Sequence, residues 1–297
     1  MPGATPTAHA PPTPTASVVW VPAPLVALGS LVDEGQWSAY LQDASGRTVA
    51  YRTFLQPDPQ RPYAVTAIVA FNLDLVRLHY VLGHLEPRSS VVLDRPGLIP
   101  ADDLQSGLLL ATFNGGFKAR EGHFGAMVNG ITVLPPRPDQ GTVALYSDGQ
   151  VRIGAWGTDI RPSADITAWR QNGPLLIHNG QINPHTAETA PWDWGYSLDG
   201  ATAVWRSGLG LSADGRILYY LAGPHLITSA LAQAMAATGA DQAMQLDINN
   251  FWVHFDAIQA VGAELQASPL VDSMQSGAGR YLKAYTRDFF YVTASGQ

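Results

Sequence analysis

From residue 18 onward the chain is a succession of short apolar or alternating runs cut by turn residues. Residues 48–55 alternate and are rich in Tyr, Thr and Val, and 64–71 and 75–82 are further apolar runs; each reads as a strand. Gln56-Pro57-Asp58-Pro59 marks a turn. Residues 18–31 are apolar but broken by Pro22 and Pro24, which suits an edge strand or loop. Residues 108–112 form a fully apolar run that stops at Asn114-Gly115-Gly116, so a buried strand should present backbone amides at its exit. Asn129-Gly130, Asp148-Gly149, Asn179-Gly180 and Asp214-Gly215 each sit inside an apolar stretch and predict four hairpins. One helix stands out: Thr228-Ser229 can cap it, Ile227, Leu231, Met235 and Thr238 share a face, and Gly239 ends it. A strand is expected at 243–247, a turn or bulge at 248–250, a weaker helix near 256–265 and a closing strand at 285–293. The expected fold class is α+β: one domain over 18–297, with extended, largely antiparallel sheets of hairpins and a few packed helices.

Composition narrows this picture. Apolar residues make up 46%, enough for a real core, while charged residues are only 14%, against roughly 25% in an average domain. A net charge of −7 argues against a nucleic-acid partner. With 29 Gly and 22 Pro an all-helical bundle is excluded, and with no Cys so are disulfide scaffolds, thiolate metal sites and thiol nucleophiles. Residues 1–17 are Pro, Thr and Ala-rich and read as a disordered linker. Such a linker suits attachment to an upstream membrane anchor, hence an extracellular or cell-envelope setting. The chain holds no apolar run of membrane-spanning length and no intact signal peptide. It also lacks a G-x-S-x-G elbow, a Walker loop, H-E-x-x-H, an EF-hand loop and a dinucleotide fingerprint.

Four segments combine turns with chemically able side chains: 112–125 with Asn114, Gly115, Gly116, Lys118, Glu121 and His123; 170–174 with Arg170 and Asn172; 205–210 with Trp205 and Arg206; and 245–252 with Asp247, Asn249 and Trp252. Their order resembles the phosphodiester glycosidase family, that of N-acetylglucosamine-1-phosphodiester alpha-N-acetylglucosaminidase. The matching pieces are Asn-Gly-Gly-Phe at 114–117, Asn-Gly-Pro-Leu-Leu-Ile-x-Asn-Gly at 172–180, Arg-x-Gly-x-Gly followed by Asp-Gly at 206–215, and a helix leading into Leu246-Asp247. The family follows Leu-Asp with Gly-Gly-Gly-Ser. This chain has Ile248-Asn249-Asn250-Phe251 there, as in a bacterial variant.

The resemblance implies cleavage of a sugar C1–O bond in a sugar-1-phosphodiester or related glycan linkage. A phosphate leaving group is a weak base, so the site needs cations at the phosphate and a carboxylate near C1 more than a strong acid. Arg206 suits the first role through its planar fork, with Lys118 and Arg170 in reserve. Asp247 suits the second. Asn114 and Asn249 could hold hydroxyls or water, His123 and His225 could move a proton, and Trp205 and Trp252 offer faces for a sugar ring. Gly115, Gly116, Glu121 and Asn172 complete the expected substrate contacts. A divalent cation, Ca²⁺ or Mg²⁺, could sit on Asp247, Asn249 and loop carbonyls. Two alternatives stay open: a non-catalytic carbohydrate-binding or wall-associated module, and an ordinary O-glycosidase pairing Asp247 with Glu121, Asp193 or Asp199.

Overall fold

The computed structural model describes residues 20–187, 191–195, 202–262 and 264–295. The expected linker at 1–17 and Asp199 lie outside the described residues. In chain order come β1 (Ser38–Gln42), β2 (Thr48–Leu55), β3 (Thr66–Asn72), β4 (Val76–Val81), β5 (Leu109–Asn114), β6 (Ala126–Val128) and β7 (Ile131–Leu134). Then follow β8 (Gly141–Tyr146), β9 (Val151–Ala155), β10 (Ile166–Gln171), β11 (Leu175–His178), β12 (Gln181–Ile182), α1 (Pro191–Trp194), β13 (Val204–Ser212) and β14 (Ile217–Leu226). The chain closes with α2 (Thr228–Ala237), β15 (Ala240–Ile248), β16 (Phe255–Val261), β17 (Glu264–Pro269) and β18 (Phe289–Ala294).

These strands form three sheets. An eight-stranded sheet runs β1-β2-β3-β14-β13-β15-β11-β12, and two five-stranded sheets run β7-β6-β10-β8-β9 and β17-β16-β5-β18-β4. Every turn dipeptide expected to make a hairpin does so: β6–β7, β8–β9, β11–β12 and β13–β14 pair antiparallel around them.

The α+β expectation is corrected. Strand accounts for 42% and helix for 11%, so the fold is largely β. The second helix expected near 256–265 is instead the hairpin β16–β17, with Val261 opposite Glu264. Its apolar spacing fits either structure, and Gly262 in the left-handed region (φ 64°) turns the chain. The helix α2 forms as expected, but Ile227 occupies the N-cap and no side chain caps it. Burial holds α2 in place: Leu231 and Met235 are fully buried against the large sheet. A Cβ on Gly210 would lie 2.4 Å from the Met235 sulfur. This glycine of the Arg-x-Gly-x-Gly strand therefore serves helix packing.

The main core lies where the sheets face one another. Phe71 and Tyr220 of the large sheet meet Phe113, Phe255 and Phe290 of a small one, with Phe113 stacked 6.0 Å from Phe255. All six residues of β5 are buried, so the turn that follows it starts from within the packed core.

Candidate active site at the meeting of three sheets

The Asn-Gly-Gly turn leaves β5 and lands between the ends of strands from all three sheets. Gly115 N donates to Asp288 O (3.1 Å), just before β18, and Asp247 N at the end of β15 donates to Gly115 O (3.2 Å). Asn172, just past β10, accepts from Phe117 N (2.9 Å) and donates to Gln245 O and Leu246 O. The sequence segments at 114–117, 172 and 245–247 therefore do converge, as the resemblance requires.

Inside this junction Asn114 is wholly engaged. Its amide donates to Gly115 O and Ser207 Oγ, and its carbonyl accepts from Tyr220 Oη (2.9 Å) and His254 N (3.1 Å). Ser207 in turn donates to Asp247 O. Arg170 is fully buried, with Nε 2.6 Å from Asp288 Oδ2 and its other nitrogens on Phe117 O, Phe124 O and Gln171 O. Tyr80 Oη also donates to Asp288 Oδ2 (3.0 Å). The two glycines make this approach possible: a Cβ on Gly115 would meet Asp288 Oδ2 at 2.6 Å, and one on Gly116 would meet the Arg170 guanidinium at 3.1 Å.

Asp247 faces Arg287, an arginine outside the residues singled out from the sequence. Its Oδ2 contacts Arg287 Nη2, and both side chains are 5% exposed. Its Oδ1 accepts from Ile248 N (2.8 Å). Burial pushes the Asp247 carboxyl up to about 7; Arg287 and the Ile248 amide oppose this, and the charges of Glu121 and Asp288 add to it. Arg287 also donates through Nη2 to Gly116 O (2.9 Å), while its Nη1 is buried without a partner among the described residues. The Arg287 guanidinium lies 4.4 Å from the centre of the Trp252 ring, and Lys118 Nζ lies 4.5 Å from it. Trp252 thus carries two cations. Lys118 Nζ is 3.7 Å from Glu121 Oε1, and Glu121 Oε2 accepts from Lys118 N (3.1 Å).

The remaining expected residues fall around this centre. Arg206 is buried; it donates to Leu226 O, Trp194 O, Thr202 O and Gln245 Oε1, and burial lowers its guanidinium to about 10. Asn249 takes the left-handed backbone (φ 74°), which Asn tolerates best after Gly. Its N donates to Trp205 O (2.8 Å), and its O closes the turn through Trp252 N and Val253 N. His123 and His225 are both exposed; the His225 ring packs edge-on against Tyr63. Asp193 is exposed on α1. Among the described residues no three His, Asp or Glu side chains gather as metal ligands. With a guanidinium already against Asp247, the donor set does not fit a hard cation there.

Sequence reading missed Arg287, Asp288, Tyr80 and His254. The first two had a signal: an opposite-charge pair directly ahead of a strongly apolar strand, in a chain with few charges.

Comparison with known proteins agrees with the motif reading. The model of the phosphodiester glycosidase family matches residues 109–247. Asn114, Arg206 and Asp247 fall inside that stretch; Trp252 and Arg287 lie beyond it. The zebrafish N-acetylglucosamine-1-phosphodiester alpha-N-acetylglucosaminidase catalytic domain, auto-inhibited by its pro-peptide, is similar at 11% identity and a TM-score of 0.49, covering 88% of each chain. A hypothetical protein from Synechocystis is similar at 12% identity and a TM-score of 0.46, covering 87% of this chain and 62% of the other. No curated protein gives a match.

Proposed function

We propose, with the phosphodiester glycosidase match over residues 109–247 as premise, that this chain is a hydrolase cleaving the C1–O bond of a sugar 1-phosphodiester. In this reading Asp247 acts at the anomeric carbon, and Arg287 with Lys118 holds the phosphate. The observation that carries it is a buried carboxyl touching a guanidinium that lies on the Trp252 ring beside Lys118, with one buried nitrogen left without a partner among the described residues. Arg206 loses the phosphate role assigned from sequence, because its donors are spent on backbone carbonyls and Gln245. It becomes a positioning residue that ties Trp194 and Thr202 to the strand bearing Gln245.

The C1–O bond breaks with its electron pair passing to the phosphate oxygen. Arg287 and Lys118 offset that charge, and water adds to C1 as its proton moves to the Asp247 carboxylate and then to solvent. Since the departing phosphate needs little protonation, the ionised form of Asp247 is the working one. With the carboxyl at about 7, kcat/KM should rise with pH to a plateau above about 7. Release of free sugar from a panel of sugar 1-phosphodiesters, by wild type and by Asp247→Asn, tests the reading. Equal rates would remove Asp247 from the mechanism, and no turnover of any member would remove the hydrolase.

The charge of Glu121 acts on Asp247 and supports a second reading, in which Asp247 is the acid and Glu121 the base of an ordinary glycosidase. A pH profile that falls through about 7 would favour it. An extracellular or envelope setting remains part of the proposal and rests on the Pro/Thr/Ala composition of residues 1–17.

A further inference from the structure

The cations at this centre are matched by carboxylates. Arg287 touches Asp247, and Lys118 Nζ stands 3.7 Å from Glu121 Oε1. The neighbouring Arg170 is neutralised by Asp288 at 2.6 Å and turns no nitrogen outward. The charge offered to an incoming phosphate is therefore small: with Asp247 ionised, Arg287 and Lys118 are balanced by Asp247 and Glu121, and the further cation on Glu121, Arg120 at 3.9 Å, is exposed to solvent.

Such a balance treats substrate and product differently. A phosphodiester carries one negative charge. The phosphate monoester released from it carries about 1.5 to 2 at neutral pH, and its second charge would face both carboxylates. Glu121 is also the more exposed of the two, at 39% against 5% for Asp247. It stands on the solvent side, where a departing product would pass.

We propose that Glu121 is a specificity-determining residue that disfavours phosphate monoesters, so that the site takes the diester and releases the monoester. This rests on the placement of phosphate at Arg287 and Lys118 given above. A Gln in place of Glu121 can keep the oxygen that accepts from Lys118 N (3.1 Å) and puts a neutral NH2 where Oε1 faces Lys118 and Arg120, so the turn's hydrogen bond is retained while the charge is removed.

The experiment is calorimetric titration of the full chain at pH 8 with methyl phosphate, a dianion there, and dimethyl phosphate, a monoanion. In wild type, dimethyl phosphate should bind at least as tightly as methyl phosphate. In Glu121→Gln, methyl phosphate should tighten about fivefold more than dimethyl phosphate does, the size of one unit of screened repulsion across a partly exposed site. A purely structural Glu121 would weaken both ligands alike; that result, an unchanged ratio, or no binding of either ligand to wild type would overturn the proposal. If the ratio shifts as expected but no sugar 1-phosphodiester is hydrolysed, the charge selection stands and the hydrolysis reading falls.

Discussion

Arg287 and Asp288 are neighbours in sequence and make two unlike ion pairs. Asp288 pairs inward with Arg170, where the side chains are 1% and 0% exposed and every Arg170 nitrogen donates to protein. Arg287 pairs with Asp247 at the edge of the same junction, leaves Nη1 without a partner among the described residues, and rests on Trp252 beside Lys118. The first pair ties the two five-stranded sheets together beside the Asn-Gly-Gly turn. The second is held in place by that tie and retains hydrogen-bonding capacity. Each pair leaves one buried atom without a partner among the described residues, Asp288 Oδ1 and Arg287 Nη1, so neither burial nor spare capacity separates them; what does is the place of Arg287 on the Trp252 face beside Lys118.

The contrast can be broken from either side. Asp247→Asn should cost about 10²–10⁴-fold in kcat while leaving the circular dichroism spectrum intact, the span expected for a group moving a proton in the transition state. Arg170→Met should leave Asp288 buried and unpaired and cost about 3–5 kcal/mol of stability in a urea titration. If Arg170→Met melts like wild type, the inner pair is not the tie described.

Arg287→Met should reduce kcat/KM for a phosphodiester by about 10- to 100-fold, the worth of a hydrogen bond to a charged group. Unchanged kinetics would move the phosphate elsewhere. The pH dependence of stability gives a smaller, sharper signal. The Asp247 carboxyl sits at about 7 when folded, against 3.8 for an ordinary aspartate. Its bound proton therefore stabilises the native state fully below about 4, and that contribution is lost as pH rises through about 7. Asp247→Asn should flatten this decline by on the order of 1–4 kcal/mol between pH 4.5 and 7.5, read from urea midpoints. The smallest effect belongs to the exposed histidines: His123→Ala and His225→Ala should each leave kcat/KM within about twofold.

Much of this was readable in the chain. Asn-Gly and Asp-Gly dipeptides placed all four hairpins because only a few residues accept the left-handed backbone their turns need. The exit of a wholly buried strand at Asn114 marked the turn at the heart of the junction. Where the structure differs from the sequence reading, the reasons are definable. The run after Phe255 has spacing that suits either helix or strand, and only pairing with β5 decides it. Arg206 carries the right chemistry, but its environment consumes it. Arg287 carries the same chemistry and was overlooked because nothing local ties residue 287 to residue 247.

The sequence by itself determined the turns, the buried strands and the ordered set of motifs that resemble the phosphodiester glycosidase family, since each depends on residues close together along the chain. Tertiary structure alone decided which arginine meets Asp247 and which are spent on carbonyls. That choice depends on how three sheets pack, and packing of distant strands is set by the whole core at once, not by any window of neighbouring residues.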